Sequence, residues 1–396
     1  MKYDFLTNPD RRKQGSRKYM VMYNKNPHLS KDIIPLSVAD MEFVTPPEIR
    51  EGLKDFLDEV VLGYSGPNDE YFKALKAFMY RKHNFKIEND WVVNTNGVVL
   101  AFFNCVREFL KKDQGLIIMP PVYPPFFKSA KYQGRKLVEC PLLCEDGYYT
   151  INYELFEKLA RDKNNKALLF CSPHNPVGRV WKREELEKLG KIIVKNDLYL
   201  FADEIHNDIV MPGYEHTVFQ SISNELSERT ITFTAPSKTF NLAGLGVSSI
   251  IIKNKDMREK FVDGLEKIGA HANSALAYKA AEIAYNECDL WLEEMICVID
   301  KNQKLVNKFF KENYPKIKAR LIEGTYLMWI DFRDLNMTYK DLQSFMENKA
   351  ELFFNEGYLF GEEGQGFERI NLALPEKSLK EALNRLDKAL KEINYK

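Results

Sequence analysis

The sequence has no excess of either charge: its 396 residues hold 57 Lys and Arg against 57 Asp and Glu. It therefore lacks the electrostatic footprint of a nucleic-acid or anionic-membrane binder. Cysteine is scarce. The six residues, Cys105, Cys140, Cys144, Cys171, Cys288 and Cys297, are too few and too scattered for a disulfide framework. The one close pair, Cys140 and Cys144, has no histidine nearby to complete a zinc site. No window approaches the ~20 consecutive apolar residues of a membrane span. The start, Met1-Lys2-Tyr3-Asp4-Phe5, has no apolar core for a signal peptide. Internal repeats, low-complexity tracts and Gly/Ser linkers are missing as well. These absences lead us to expect a soluble, cytoplasmic protein with neither nucleic-acid nor membrane partners.

What is present is ordinary globular composition, 45% hydrophobic and 29% charged. The length allows two to three domains, or one large and one small. From about residue 90, short β-branched or apolar runs alternate with helical patterns. The runs are Trp91–Val93, Leu116–Met119, Ala167–Phe170, Leu198–Phe201, Ile231–Phe233 and Val247–Ile252; the helical stretches include Val98–Leu110 and Lys182–Asn196. Such alternation predicts a mostly parallel sheet with helices on both faces, whose ligand site lies at the carboxyl ends of the strands. Upstream, Thr45-Pro46-Pro47-Glu48 reads as a capping box opening a helix to about Val60. A second helix is expected over Asp69–Lys82, after the Gly63-Tyr64-Ser65-Gly66-Pro67 loop. Past residue 254 the chain turns helical. It then yields a strand over Tyr326–Asp331, a helix over Tyr339–Lys349, a strand over Arg369–Leu374 and a closing helix. That mixture suggests a second, smaller α+β unit.

The chemistry gathers at the expected strand ends. Leu198–Phe201 runs into Ala202-Asp203-Glu204-Ile205-His206, placing a carboxylate at the edge of the sheet. The run Ile231–Phe233 is followed by Pro236 and then Lys238. A lysine at a semi-buried strand end is costly unless neutralised, paired or covalently engaged. Its amine suits Schiff-base chemistry on a carbonyl, and a neighbouring aspartate suits pyridoxal phosphate, whose ring nitrogen it would keep protonated. The turn Asn94-Thr95-Asn96-Gly97-Val98-Val99 opens a helix, so its first N–H groups suit a phosphate. Asn175 sits in the stiff loop Ser172-Pro173-His174-Asn175-Pro176, where a plain turn role is the competing reading.

Taken together, Asn175-Pro176-x-Gly178, Asp203 and Ser237-Lys238 resemble the fold-type I pyridoxal-phosphate enzymes, the aspartate aminotransferase fold of the class I/II aminotransferase superfamily. More narrowly, the chain is similar to their cystathionine β-lyase-like C–S lyase branch. The supporting stretches are Val38-Ala39-Asp40-Met41, Gly63–Pro67, Pro121-Val122-Tyr123-Pro124-Pro125-Phe126, Ala202–His206, Ala235–Leu245 and Phe367-Glu368-Arg369-Ile370-Asn371, which run through nearly the whole chain.

The resemblance implies a large domain with a mostly parallel seven-stranded sheet over residues 46–288. A smaller α+β domain over 289–396 would be joined by the N-terminal segment 1–45. It implies that Lys238 bonds the cofactor and later shuttles the substrate Cα proton, that Asp203 pairs with the pyridinium nitrogen, and that Tyr123 stacks on the ring. Asn175 would bond the ring's phenolic oxygen, and His206 would touch the ring edge. Gly97, Val98 and Ser237 would bind the phosphate. Arg369 would grip the substrate carboxylate, and Ala39 would line the substrate site. Tyr64 would reach the phosphate of a neighbouring subunit, which requires a homodimer.

Two departures stand out. Ala235 and Gly246 replace a serine and an arginine common near the phosphate in aminotransferases, and Ser37 and Glu42 replace a Trp and an Asp usual in the lyase branch. The expected function is β-elimination from a sulfur amino acid such as L-cystathionine, with an aminotransferase as the alternative. A binding or regulatory protein on this fold is the competing class, and loss of Lys238 or Asp203 would have favoured it. A dinucleotide oxidoreductase is rejected, because Gly244-x-Gly246 and Gly364-x-Gly366 lack a third glycine and the strand–turn–helix setting.

Overall fold

The computed structural model describes residues 1–271 and 274–395; positions 272, 273 and 396, which the expected domain ranges include, lie outside the described residues. The chain opens with helix α1 (Arg17–Lys25) and a two-residue strand, β1 (Ile34–Pro35). Helices α2 (Pro47–Glu59) and α3 (Asp69–His83) follow and pack against a later helix, Ala275–Glu287. Helix α2 does not open with a capping box. Pro46 occupies the cap position with extended backbone and no side-chain cap, and Pro47 starts the first turn. Thr45 is thus one residue too early for its hydroxyl to serve.

The large sheet uses β2 (Val92–Thr95), β3 (Gly115–Ile118) and β4 (Lys136–Glu139). A hairpin of β5 (Leu143–Glu145) and β6 (Tyr148–Thr150) comes next, and the sheet resumes with β7 (Asn165–Cys171), β8 (Tyr199–Asp203), β9 (Thr230–Thr234) and β10 (Ser248–Ile251). Its order is β2-β10-β9-β8-β7-β3-β4. Seven strands and a mostly parallel sheet agree with the expectation, and β10 is the exception, antiparallel to both neighbours. The central strands are apolar because both faces are covered: Leu168, Leu169, Leu200, Phe201, Ile231 and Phe233 are all fully buried. Helix α4 (Val98–Phe109) covers part of one face, burying Ala101, Phe102, Cys105 and Val106.

A second sheet, of order β11-β12-β15-β14, contains β11 (Lys318–Ala319), β12 (Leu327–Asp331), β14 (Asn355–Glu356) and β15 (Phe367–Asn371). The strand expected over Arg369–Leu374 begins two residues earlier and ends at Asn371. The separate strand β13 (Leu352–Phe353) pairs in parallel with β1, so the N-terminal segment folds onto the C-terminal part.

The register fixes the site. Asp203 ends β8, opposite Cys171 of β7 and Phe233 of β9. The end of β2 (Thr95), the end of β9 (Thr234) and the start of β10 (Ser248, Ser249) lie at the same edge. The turn 96–98, the turn 235–238 and Asp203 are therefore gathered at one margin of the sheet.

Candidate active site

A cavity of about 320 Å³ opens at that margin. Of the residues expected from the sequence, Ala39, Gly97, Val98, Tyr123, Asn175, Asp203, His206, Ser237 and Lys238 line it. Arg369 is joined to it through Asn175. Tyr64 is not part of it: the side chain is fully exposed on the loop between α2 and α3.

Lys238 lies in the single helical turn Pro236–Thr239, directly after β9. Its Nζ donates to the carbonyl of Ala39 at 2.6 Å. Burial brings the amine down to about 8; Arg369 pushes the same way, while Asp40 and Asp203 oppose it. Asp203 is 2% exposed, and among the described residues its carboxylate receives only the long Ile205 N–H contact at 3.4 Å. Burial raises its carboxyl to about 7, partly offset by that N–H and by Lys238. Such a carboxylate needs a cation beside it to be stable in charged form.

Gly97 caps α4 with φ of +102°, a conformation that favours glycine, so the chain can turn sharply from β2 into the helix. The first N–H groups of a helix have no partner within it, and with Ser237 they line this cavity, a combination chemically suited to an anion. Gly246, with φ of +67°, also lines this cavity and offers no charge. Tyr123 follows the β3–proline segment and packs edge-on against Phe126. Burial raises its phenol, with Asp203 adding to the effect and Arg369 and Arg17 opposing it.

Asn175 is buried, and its Oδ1 accepts from Arg369 Nη1 at 2.8 Å. Arg369, on β15, also donates from Nη2 to Asn355 Oδ1 at 2.5 Å. Among the described residues its buried Nε has no partner. Burial lowers the guanidinium to about 10, still charged at neutral pH. His206 is 2% exposed, its Nδ1 has no partner among the described residues, and burial holds the ring well below its ordinary value, so it is neutral.

Three contributors carried no readable sequence signal. Asn355 reaches Arg369 from the neighbouring strand. Arg17, the first residue of α1, lines the cavity mouth. Lys18 is buried and donates from Nζ to Glu42 Oε1 at 2.5 Å and to the Asp40 carbonyl at 2.8 Å. That pins the segment whose Ala39 carbonyl holds Lys238.

A buried carboxylate wanting a cation, a lysine with a weakened hold on its proton and an N–H cradle for a phosphate define a site of the pyridoxal-phosphate type. The chain belongs to the class I and II aminotransferase family, whose model matches residues 31–386. It is similar to the cystathionine β-lyase PatB of Bacillus subtilis, 35% identical over 385 residues, covering 97% of this chain and 100% of PatB. Among solved structures it is similar to cystalysin from Treponema denticola, which contains a pyridoxal 5′-phosphate cofactor. That pair is 58% identical with a TM-score of 0.98, over 99% of this chain and 100% of cystalysin. It also resembles the C–S lyase of Staphylococcus hominis in complex with L-cycloserine, at 28% identity and TM-score 0.91, over 98% of each chain.

Proposed function

We propose that this protein is a pyridoxal-phosphate-dependent C–S β-lyase that acts on sulfur amino acids of the L-cystathionine type, releasing thiol, pyruvate and ammonia. The observation that carries the reading is the pairing of buried, nearly unpartnered Asp203 with Lys238 across one cavity. The family membership and the lyases among its relatives support it. When bound, the cofactor supplies a carbonyl for amine exchange and a ring that stores the electron pair left at the substrate Cα.

The protein's residues do the rest. Asp203 would pair with the ring nitrogen and keep it protonated. Gly97, Val98 and Ser237 would hold the phosphate, and Tyr123, Asn175 and neutral His206 would contact the ring. Arg369 anchors the substrate α-carboxylate. Lys238, at about 8, exchanges a proton with the substrate Cα near neutral pH. Thiol loss and transamination share these residues up to Cα deprotonation. Gly246, with no side chain where aminotransferases commonly carry an arginine, supports the lyase reading.

We further place the action in a homodimer, with the exposed Tyr64 completing the partner's phosphate site. The division into 46–288 and 289–396, with 1–45 joined to the latter, is supported by the β1–β13 pairing. Six free cysteines, four of them buried, suit the reducing cytoplasm, and among the described residues no helix is long and apolar enough to cross a membrane. Incubation with L-cystathionine, measuring pyruvate and free thiol beside keto-acid-dependent amino transfer, tests the function. Pyruvate and thiol in equal amounts are the expected result, and amino transfer without thiol release would replace the reading by an aminotransferase.

A further inference from the structure

Two guanidinium groups are associated with this cavity, and only one has an assigned use. Arg369 is 4% exposed, bonded to Asn355 and to the lining residue Asn175. Arg17 is exposed and lines the cavity from the first turn of α1. Among the described residues it makes no hydrogen bond and no ion pair. Three neighbouring cations are committed: Arg11 pairs with Asp40 at 2.9 Å, Arg12 with Asp10 at 2.9 Å, and Lys18 with Glu42.

The placement of Arg17 is also fixed from below. Lys18 is 1% exposed and tied to Glu42 and the Asp40 carbonyl, so the first turn of α1 is anchored to the segment that carries Ala39. Successive residues of a helix point about 100° apart, given 3.6 residues per turn. With Lys18 directed inward, Arg17 is free to face the cavity mouth. Arg17 is exposed and lines the same cavity as Tyr123, Asp203 and Lys238.

We propose that Arg17 is a specificity residue that receives the distal carboxylate of the substrate, so the enzyme favours cysteine thioethers whose sulfur substituent ends in a carboxylate. The inference rests on the lyase reading above for the sulfur chemistry. The proposed order along the substrate is α-carboxylate at Arg369, Cα at Lys238 and distal carboxylate at Arg17. A planar guanidinium with all five N–H donors uncommitted matches a carboxylate through two parallel hydrogen bonds.

The test compares two matched pairs in the holoenzyme. S-(2-carboxyethyl)-L-cysteine and S-propyl-L-cysteine differ only in exchanging the distal carboxylate for a methyl group. For Arg17→Gln, kcat/KM for the carboxylate substrate should fall roughly tenfold or more, chiefly through KM, while that for S-propylcysteine changes by less than about threefold. Arg17→Lys should recover part of the loss, since it keeps the charge without the fork.

The second pair, 2-aminopimelate and 2-aminoheptanoate, has the same chain lengths without sulfur, and calorimetry gives their affinities whether or not elimination occurs. The parent should bind aminopimelate tighter, and Arg17→Gln should remove that difference. Equal losses for both members of a pair, or no change in either, overturn the role of Arg17. Failure of the parent to release thiol from either thioether, with the Arg17-dependent binding difference intact, refutes the lyase reading and leaves the distal site standing.

Discussion

Replacing Asp203 with asparagine isolates the electrostatic core of the site. The carboxyl sits at about 7 instead of its ordinary 3.8 because burial disfavours the charge. At about 1.4 kcal/mol for each factor of ten, holding the bare carboxylate ionised costs about 4 kcal/mol. The sign follows from linkage. A carboxyl raised in the folded state destabilises the fold only where it must ionise, so the penalty is absent below about pH 4, grows toward pH 7 and is level above it. In cofactor-free protein, Asp203→Asn should therefore become more stable than the parent as pH rises from 4 to 7, by up to about 4 kcal/mol. With the cofactor bound the order should reverse, because the carboxylate then has a cation to pair with. Turnover should fall by at least about tenfold, since removing a charge aimed at the reacting system commonly costs a few kcal/mol of barrier and each 1.36 kcal/mol is tenfold in rate. Urea denaturation from pH 4 to 8, with and without cofactor, gives the first quantity, and pyruvate release at measured cofactor occupancy gives the second. A stability difference that does not change with pH, or turnover within threefold of the parent at equal occupancy, would refute the assignment.

Lys238→Ala should lose covalent attachment: pyridoxal phosphate with borohydride should add the cofactor's mass to the parent chain and not to the variant, by intact mass spectrometry. Arg369→Lys should raise KM for amino acids at least tenfold with cofactor content unchanged, because lysine lacks the planar fork; an unchanged KM moves the carboxylate site elsewhere. Lys18→Met leaves Glu42 buried beside a distant Arg11 (3.7 Å) and should cost about 3 kcal/mol in a denaturant titration, while Lys18→Met/Glu42→Leu should regain much of it. Mixed dimers of Tyr64→Phe and Lys238→Ala should recover activity that neither parent has, and hybrids that form yet stay inactive would place Tyr64 outside the site.

Much of this was legible because the informative signals are local. Asp203 and Lys238 each follow an apolar run whose end is marked by composition or by proline, so sequence position alone put them at the sheet margin. The direction of β10 was harder, though its cause is visible afterwards. A parallel return needs a crossover of a dozen or more residues, usually helical. The stretch from Thr234 to Ser248 holds only the short turns Pro236–Thr239 and Ala243–Leu245. The chain therefore comes back antiparallel. Strand β4 escaped notice because it is an edge strand with mostly exposed or half-exposed side chains, Lys136 and Glu139 among them, so it shows no apolar run. Lys18–Glu42, Arg17 and Arg369–Asn355 depend on contacts that no local pattern encodes.

The contacts of Arg369 show how the two sheets act as one site. Its Nη1 is held by Asn175, in the loop after β7 of the large sheet, and its Nη2 by Asn355 of the small sheet. A guanidinium has five N–H donors, and these bonds use one hydrogen on each Nη. The Nε–H remains, buried and without a partner among the described residues. A buried donor left bare costs about 1–3 kcal/mol, which an accepting group recovers. The two asparagines orient the guanidinium from the two sheets, and under the proposed function the remaining Nε–H is a donor for the substrate carboxylate. The ammonium of a lysine has three donors and no plane, so it cannot satisfy Asn175, Asn355 and a bidentate carboxylate together. Under the proposed reading, Arg369 is irreplaceable for its geometry more than for its charge.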